Sequence, residues 1–486
     1  MKQEWLEKSL KDQLSRLQKK LYGCGREAFK KKDHRSVGHD GEQLRLHGEY
    51  TEPDQSSELE DNKELNSAPV VVHDASAEYL AEESLLRDIK GKSEAWSEVK
   101  DFHQDSYEIT VTEQVYQKVI HRQKKYRLKD EYNTTGKEVI ITAPGPVKVK
   151  PGCQYSVDFA LAVASDKYEF HLPLERQRRR MEAAGLDVEV KTLYSLCESV
   201  AEHCEAVRED IRQDIMNDFC AVHMDESPWR ILGEKETGQM WVLSNRLGSF
   251  CQFEPTRSGK VAEEIIEGYE GAVVTDGYAG YNALRKSEKI RVGQCWAHAR
   301  REFFERLDSF PIECEEALNF IDRIFFLESQ ARNFDELKEL RKTEIKVVVE
   351  DFHQWLLKHE SRYLVGDGLT KAVKYCLKLW TELTLFLRDL SVPLDNNDAE
   401  RALRHVVMGK KNFAGSKTIN GADTAAILYT VIETAKKVGL QPKEYLKYLI
   451  TERWHKRKPL SPHRFVVEKR NGKPRVNFPA KEAWQI

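Results

Sequence analysis

The chain contains 486 residues, of which 40% are hydrophobic and 32% are charged, so it is long enough for about three domains with sizeable cores. No run of about 20 apolar residues is present, which excludes a helical membrane span, and the charged first residues predict no secretory signal. The nine cysteines form no Cys-x-x-Cys pair, so we expect a reduced, cytoplasmic protein without disulfides.

The formal net charge of −3 conceals an uneven distribution of charge along the chain. Residues 40–105 contain 18 acidic and 6 basic residues, a net charge of −12, so the rest of the chain carries +9. Basic domains beside an acidic segment are compatible with nucleic-acid binding. A solvated acidic linker next to ordinary surfaces explains the same numbers, and charge alone favours that simpler interpretation.

The first predicted element is a helix over residues 5–22. Its leucines alternate in spacing between four and three residues: Leu10, Leu14, Leu17 and Leu21. This pattern is typical of a coiled-coil seam that joins two copies, although a helix packed on its own domain would show it too. The acidic segment that follows is expected to be loosely ordered, and residues 136–152 indicate a strand followed by an extended Pro/Gly-rich stretch.

A helical pattern extends from Ser156 to about Val207, with a break at Gly185. Three helices are predicted, and the last, opening near Val190 after a short turn, fits a helix-turn-helix. Four arginines of this region would then lie close to DNA phosphates: Arg176, Arg178, Arg179 and Arg180. A plain helical hairpin with a basic outer face is the alternative interpretation, and by itself it is the more common one.

Apolar and β-branched runs between residues 219 and 295 predict several strands, and helical patterns fill residues 313–390 and most of 397–450. Two of the strands are predicted to end at an acid, the first at Asp225 and the second at Asp276. Ligand sites gather at the ends of buried strands, where an acid is costly unless it is paired or binds a metal. These two acids are therefore candidate metal ligands.

A third acid is expected from the segment VPLDNNDAERALR, which offers Asp395, Asp398 and Glu400. Asn397 and Asp398 are predicted to cap the helix, which leaves Glu400 to project from its first turn. Three carboxylates from two strands and a helix are able to hold two Mg²⁺ or Mn²⁺ ions, which prefer oxygen ligands.

Several segments together closely resemble the large transposases (TnpC type) of the insertion-sequence-66 family. The matching segments are KYEFHLPLERQRRRM, HMDESPWRIL, VVTDGYAGYNAL, VGQCWAHARREFFE, NNDAERALRHVVMGKKNFAGS and TAAILYTVIETAKKVGLQPKEYL. They occur in the same order as in the family, and QLSRLQKKLYGCGREAF near the start is also similar. The resemblance therefore covers nearly the whole chain, apart from the acidic segment and roughly the last thirty residues.

The resemblance implies an α/β fold: an RNase H-like mixed sheet flanked by helices, with a helical insertion and a mostly helical N-terminal DNA-binding region. It places the catalytic, metal-binding acids of a DDE triad at Asp225, Asp276 and Glu400. Further residues of these motifs are expected to face DNA: His298, Arg300, Arg301, Arg401, Arg404, Lys410 and Lys411. A hydrogen-bonded structural role is an equal alternative for His298.

Many members of the family have a cysteine-rich zinc ribbon at one position where this chain reads KKYRLKDEYNTTGKE, without cysteine. Zinc is therefore not expected there. Cys295 and His298 supply only half of a zinc pattern, so we expect none there either.

The predicted activity is cleavage and transfer of double-stranded DNA at the inverted repeats of an insertion sequence. The expected partners are DNA, a second copy of the chain and small helper proteins of the same element, with the protein on the bacterial nucleoid when bound. A nuclease without strand transfer and a domesticated DNA-binding protein remain alternatives.

These interpretations divide the chain into eight parts. They are an N-terminal helix (1–38), an acidic segment (39–110), a β-containing connector (111–155), a helix-turn-helix-like region (156–212), the first part of the catalytic core (213–312), a helical insertion (313–390), the final core helices (391–452) and a basic tail (453–486).

Overall fold

A computed structural model of the chain describes residues 116–127, 140–234, 237–360 and 367–469. The predicted leucine helix, the acidic segment and the end of the basic tail lie outside these residues. Within the described part, no helix combines the length and the apolar character needed to span a membrane.

A short hairpin and three helices precede the main sheet. Their bounds are β1 (Lys125–Arg127), β2 (Ile140–Thr142), α1 (Val157–Tyr168), α2 (Leu174–Ala183) and α3 (Val190–Met216). The three helices predicted here are confirmed. Helix α2 stops where predicted because Gly185, with a φ of +82°, takes the left-handed conformation that closes a helix.

The main sheet has five strands. They are β3 (Val222–Arg230), β4 (Thr237–Asn245), β5 (Gly248–Glu254), β6 (Gly271–Thr275) and β7 (Ile290–Gln294). Their order is β5-β4-β3-β6-β7. Strands β3, β4 and β5 are antiparallel neighbours, whereas β6 runs parallel to β3 and β7 runs parallel to β6.

The remaining helices connect and cover these strands. They are α4 (Gly259–Ile265), α5 (Trp296–Phe304), α6 (Pro311–Ser329), α7 (Phe334–Lys342), α8 (Glu344–Glu360), α9 (Gly368–Lys378), α10 (Trp380–Leu383), α11 (Asn397–Phe413), α12 (Ile419–Lys437), α13 (Pro442–Trp454) and α14 (Pro462–Lys469). The helical pattern predicted for residues 313–390 is thus present as α6 to α10.

The side chains of β6 divide between two apolar cores. Successive side chains of β6 point to opposite faces: Val273 joins a core with α1, α3, α12 and α13, whereas Ala272 and Val274 join a core with α5 to α10. The described residues therefore form a mixed α/β structure, a mixed sheet flanked by helices, as the sequence predicts.

Candidate catalytic site

The two candidate aspartates lie side by side on adjacent parallel strands. The register of β3 and β6 pairs His223 with Val274, so two residues further along Asp225 lies beside Asp276. Asp276 follows directly after the last residue of β6, as predicted. Alternation along the strands directs both carboxylates to the same face of the sheet.

The prediction that β3 ends at Asp225 is wrong, because the strand continues to Arg230. Residues beyond Asp225 keep their antiparallel pairing with β4 after the parallel partner β6 has stopped. The apolar pattern ends at Asp225, whereas the hydrogen-bonded strand does not. Asp225 therefore lies just beyond the residues of β3 that pair with β6, in a part of the strand that still pairs with β4.

The third acid, Glu400, is carried by the first turn of α11, and Asn396 fixes that turn to the sheet. The Asn396 amide donates to the Met224 carbonyl (3.1 Å), and its Oδ1 lies 3.1 Å from His223 Nδ1. Its backbone N–H donates to Cys295 Sγ (3.2 Å). Because Asn396 is fully buried, these bonds tie the start of α11 to β3 and to the end of β7.

The predicted cap of this helix is shifted by one residue. The N-cap is Asn396, which makes no side-chain capping bond, and Asn397 is the first helical residue. Asn396 uses its side chain to bond β3 instead, which sequence spacing does not reveal. Asp398 lies in the first turn with Glu400, and its carboxylate accepts hydrogen bonds from Ser244 Oγ and from Lys437 Nζ, both at 2.6 Å.

The three carboxylates interact electrostatically. Burial, together with the negative charges of Asp276 and Glu400, raises the pKa of Asp225 to about 8. Asp225 accepts one bond, from the Glu226 N–H at 2.8 Å, and Asp276 accepts one from the Tyr278 N–H at 2.9 Å. Like charges crowded at one partly buried edge are the arrangement that a divalent cation stabilises.

Cys295 and His298 lie beside Glu400. One possible ligand atom from each of the three residues falls within 4.8 Å of the other two, so the structure adds a third potential ligand to the incomplete pattern in the sequence. Burial raises the pKa of the Cys295 thiol to about 12, and the thiol accepts the Asn396 N–H. Zinc binds cysteine as the thiolate, so these contacts favour a structural role for Cys295.

The four arginines predicted to contact DNA all lie on α2, and three of them pair with acidic residues of α1 or α2. Arg178 pairs with Glu175 and Glu182, Arg179 with Glu175, and Arg180 with Asp166. Exposed ion pairs of this kind are weak and open to competition by phosphates. Arg176 is also exposed, so the structure presents all four on or near the surface of α2.

The predicted basic residues of α5 and α11 divide into two groups. Two have protein partners: Arg300 pairs with Asp322 at 2.7 Å, and Lys410 donates to the Pro228 carbonyl at 2.7 Å. The others are exposed on the two helices: Arg301, Arg401, Arg404 and Lys411. Only the exposed group is well placed to contact a ligand without a rearrangement.

Sequence reasoning missed a polar cluster next to Asp225. Glu226 is buried and accepts hydrogen bonds from Arg257 and from the Tyr281 hydroxyl, while Tyr278 lies against the Arg257 guanidinium. The acid pair in MDES and the two tyrosines in DGYAGY were available as signals. Arg257 has no local signal, because it is 31 residues from Glu226 in sequence.

Comparison with known proteins identifies one family and several similar proteins. A profile described as Transposase IS66 family matches residues 152–424, more than half of the chain. Two proteins of Sinorhizobium fredii are similar: uncharacterized protein y4hP (29% identical, over 66% of this chain and 63% of the relative) and uncharacterized protein y4jD (27%, over 63% and 64%). The chain thus spans somewhat less than two thirds of the length of each relative.

Proposed function

The chain belongs to the IS66 family of transposases, and from this we propose that it is a DDE transposase. It would bind the terminal inverted repeats of an insertion sequence and catalyse metal-dependent cleavage and transfer of DNA strands. The observation that carries the proposal is the convergence of Asp225, Asp276 and Glu400 at one edge of the sheet.

The sheet supports an RNase H-like core. Three antiparallel strands are followed by two parallel ones, in the order β5-β4-β3-β6-β7. The first acid lies on the central strand, the second follows its parallel neighbour, and the third comes from a later helix. This is the arrangement in which a DDE triad meets at a single edge.

The residues present fit a divalent metal site. The donors are carboxylate oxygens, which suit Mg²⁺ or Mn²⁺, and Glu400 Oε1 is buried without a hydrogen-bond partner among the described residues. Asp225, Asp276 and Glu400 would hold the ions. Two such ions supply, when bound, activation of the attacking oxygen and stabilisation of the leaving oxygen.

The protein's task in this reaction is to position DNA and to fix the carboxylates. In cleavage, water adds to the phosphorus and the bond to the 3′ oxygen breaks, which leaves a 3′-hydroxyl and a 5′-phosphate. In transfer, that hydroxyl attacks a phosphodiester of the target, so one such bond forms as another breaks. No energy-supplying cofactor is required, since the number of phosphodiester bonds is conserved in the transfer step.

The proposed partners are double-stranded DNA, a second copy of the chain that holds the other end of the element, and helper proteins of the same element. The exposed basic residues of α2, α5 and α11 are the proposed DNA contacts. Arg301, Arg401 and Arg404 are the strongest candidates near the site, because they lie on the two helices that carry His298 and Glu400.

The test is incubation of the purified protein, with Mg²⁺ or Mn²⁺, and a plasmid that carries the DNA flanking its gene. Metal-dependent nicks at terminal inverted repeats and joined products are expected, and Asp225→Asn should lose nicking while keeping its affinity for DNA. Nicks without joined products would indicate a nuclease. Tight binding without nicks would indicate a domesticated DNA-binding protein.

A further inference from the structure

Arg257 lies at the same edge of the sheet as the three carboxylates. It belongs to the connection between β5 and α4. Because β5 is antiparallel to β4, and β4 is antiparallel to β3, strand β5 runs in the same direction as β3. The end of β5 and the residues after it therefore face the edge at which Asp225 and Asp276 meet.

One side of the Arg257 guanidinium is anchored to a buried carboxylate. Its Nε donates to Glu226 Oε1 at 2.7 Å, its Nη2 pairs with the same oxygen, and the Tyr281 hydroxyl donates to the other oxygen. The Glu226 side chain is 0% exposed, whereas that of Arg257 is 43% exposed. The anchor is therefore inside the protein and the charged group is at its surface.

Tyr278 connects Arg257 to the second aspartate of the site. The guanidinium carbon lies 3.6 Å from the centre of the Tyr278 ring, and the Tyr278 hydroxyl donates to the Arg257 carbonyl at 3.2 Å. The Tyr278 backbone N–H donates to Asp276 Oδ1 at 2.9 Å. A cation held on an aromatic face in this way keeps its orientation.

An arginine that only neutralised Glu226 would look different. Arg341 is such a residue: its side chain is 1% exposed, its Nε and Nη2 donate to Glu328, and its Nη1 donates to the Phe386 carbonyl at 2.9 Å. In Arg257, by contrast, Nη1 makes no hydrogen bond with the described residues, and solvent reaches the group. Its free donors are those that bind a phosphate oxygen.

We propose that Arg257 contacts a DNA phosphate next to the reacting phosphodiester, with Glu226 and Tyr278 as positioning residues. This inference rests on the proposed function, since it names a substrate contact of the same site. The fixed cation would position the DNA strand relative to Asp225 and Asp276. It would also offset the repulsion between these acids and the DNA backbone.

Arg246 provides a matched control. It also pairs with a buried acid, Asp218, through two hydrogen bonds (2.8 and 2.7 Å), and it also lies over an aromatic ring, that of Phe219. Its side chain is 35% exposed, similar to that of Arg257. It lies in the turn between β4 and β5, at the opposite end of β5 from Arg257.

The first measurement is the affinity of each protein for a duplex with the flanking DNA, in EDTA, over a range of salt concentrations. One phosphate contact contributes about 0.9 to the slope of log K against log salt. Arg257→Ala should reduce this slope by about one and weaken binding about tenfold, whereas Arg246→Ala should leave both unchanged. Equal slopes for wild type and Arg257→Ala would overturn the inference.

A second measurement separates a direct contact from a disturbed fold. Single methylphosphonates remove one phosphate charge at a time along the duplex. At one position the methylphosphonate should weaken binding by wild type but not binding by Arg257→Ala. Nor should it weaken binding by the double variant Glu226→Gln/Arg257→Gln, in which both charges are removed together. Equal losses in wild type and variants at every position would contradict a contact.

Failure of the inference and failure of the proposed function give different results. Binding is measured without cleavage, and nicking by wild type with Mg²⁺ is assayed in parallel. A wild-type protein that binds but never nicks, with the slope change intact, would overturn the transposase proposal and leave the Arg257 contact standing. Nicking by wild type, with no change in the salt slope for Arg257→Ala, would support the transposase proposal and overturn the Arg257 contact. No binding at all would overturn both.

Discussion

Glu400 and His298 face each other, with 3.8 Å between the carboxylate Oε1 and the ring Nδ1. Both atoms are buried and lack a hydrogen-bond partner among the described residues. Burial lowers the pKa of His298, which favours the neutral ring, although the charge of Glu400 acts in the opposite direction. A neutral histidine at this distance limits where the Glu400 side chain can point.

His298→Ala should therefore reduce the rate of nicking about 10- to 100-fold, as is typical when a residue that orients a metal ligand is removed. Affinity for DNA should change little, because the substitution removes no phosphate contact. His353→Ala is the control, since His353 stacks on Trp380 within the helical region. Loss of DNA affinity with an unchanged rate would show that His298 contacts DNA instead.

Asp225→Asn should stabilise the metal-free protein at high pH. The folded pKa of Asp225 is raised to about 8 by burial and by Asp276, above its ordinary value, so its contribution to stability is lost as pH rises from about 4 to 8. The free energy of unfolding of the variant should exceed that of wild type by roughly 2 kcal/mol near pH 8.5, a figure reduced for solvent screening. Near pH 4 the two proteins should be equally stable.

Urea unfolding at several pH values in EDTA checks this expectation. Added Mg²⁺ should then raise the stability of wild type but not that of Asp225→Asn, because ligands stabilise the state that binds them. A variant less stable than wild type at every pH would mean that the Asp225 carboxylate is favourably paired.

Asp398→Asn should destabilise the protein, whereas Glu400→Gln should not. Burial acts to raise the pKa of Asp398, but the charges of Lys437 and His223 and the bonds from Lys437 and Ser244 outweigh it and lower the pKa. Removing the charge leaves Lys437 half-buried without its anion, at a cost of about 2 kcal/mol. Thermal unfolding of both variants tests the assignment, and the opposite order would argue for Asp398 as the third acid.

The contrast between these two acids shows what the sequence was able to predict. The apolar strands that precede Asp225 and Asp276, and the helix that carries Glu400, follow from local patterns. The partners that distinguish Asp398 from Glu400 come from β4 and α12, at Ser244 and Lys437, so no local pattern reveals them. Local patterns supplied the candidate acids, because each adjoins a recognisable element, and the family resemblance proposed them as a triad.

The remaining errors have the same origin. The strand was predicted to end at Asp225 because buried polar residues, Glu226 and Ser227, interrupt its apolar pattern. Arg257 was missed because its partner is distant in sequence. The cap was misplaced because Asn396 bonds the sheet rather than its own helix. In each case a tertiary contact overrides a local preference.

Lower pH should weaken the folded state through His171. This buried residue adopts a left-handed backbone, with a φ of 59°, and burial together with the charge of His405 lowers its pKa to about 4. Because the unfolded histidine binds its proton near pH 6.5, stability is fully present above that value and is lost as pH falls towards 4.

His171→Asn should flatten this dependence, since asparagine tolerates the left-handed backbone and does not titrate. The decrease in the free energy of unfolding between pH 7.5 and 4.5 should be smaller by roughly 2 kcal/mol in the variant. Denaturant unfolding at the two pH values measures it, and an unchanged decrease would show that His171 is not responsible.

The most direct test of the central claim is nicking of the flanking-DNA plasmid by wild type and Glu400→Gln, with Mg²⁺ or Mn²⁺. The two proteins differ by one carboxylate oxygen, and both should fold and bind DNA. We expect metal-dependent nicking by wild type and at least a 1,000-fold lower rate, on the order of the loss of a catalytic group, in the variant. Equal nicking by both proteins would contradict the assignment of Glu400 to the catalytic site.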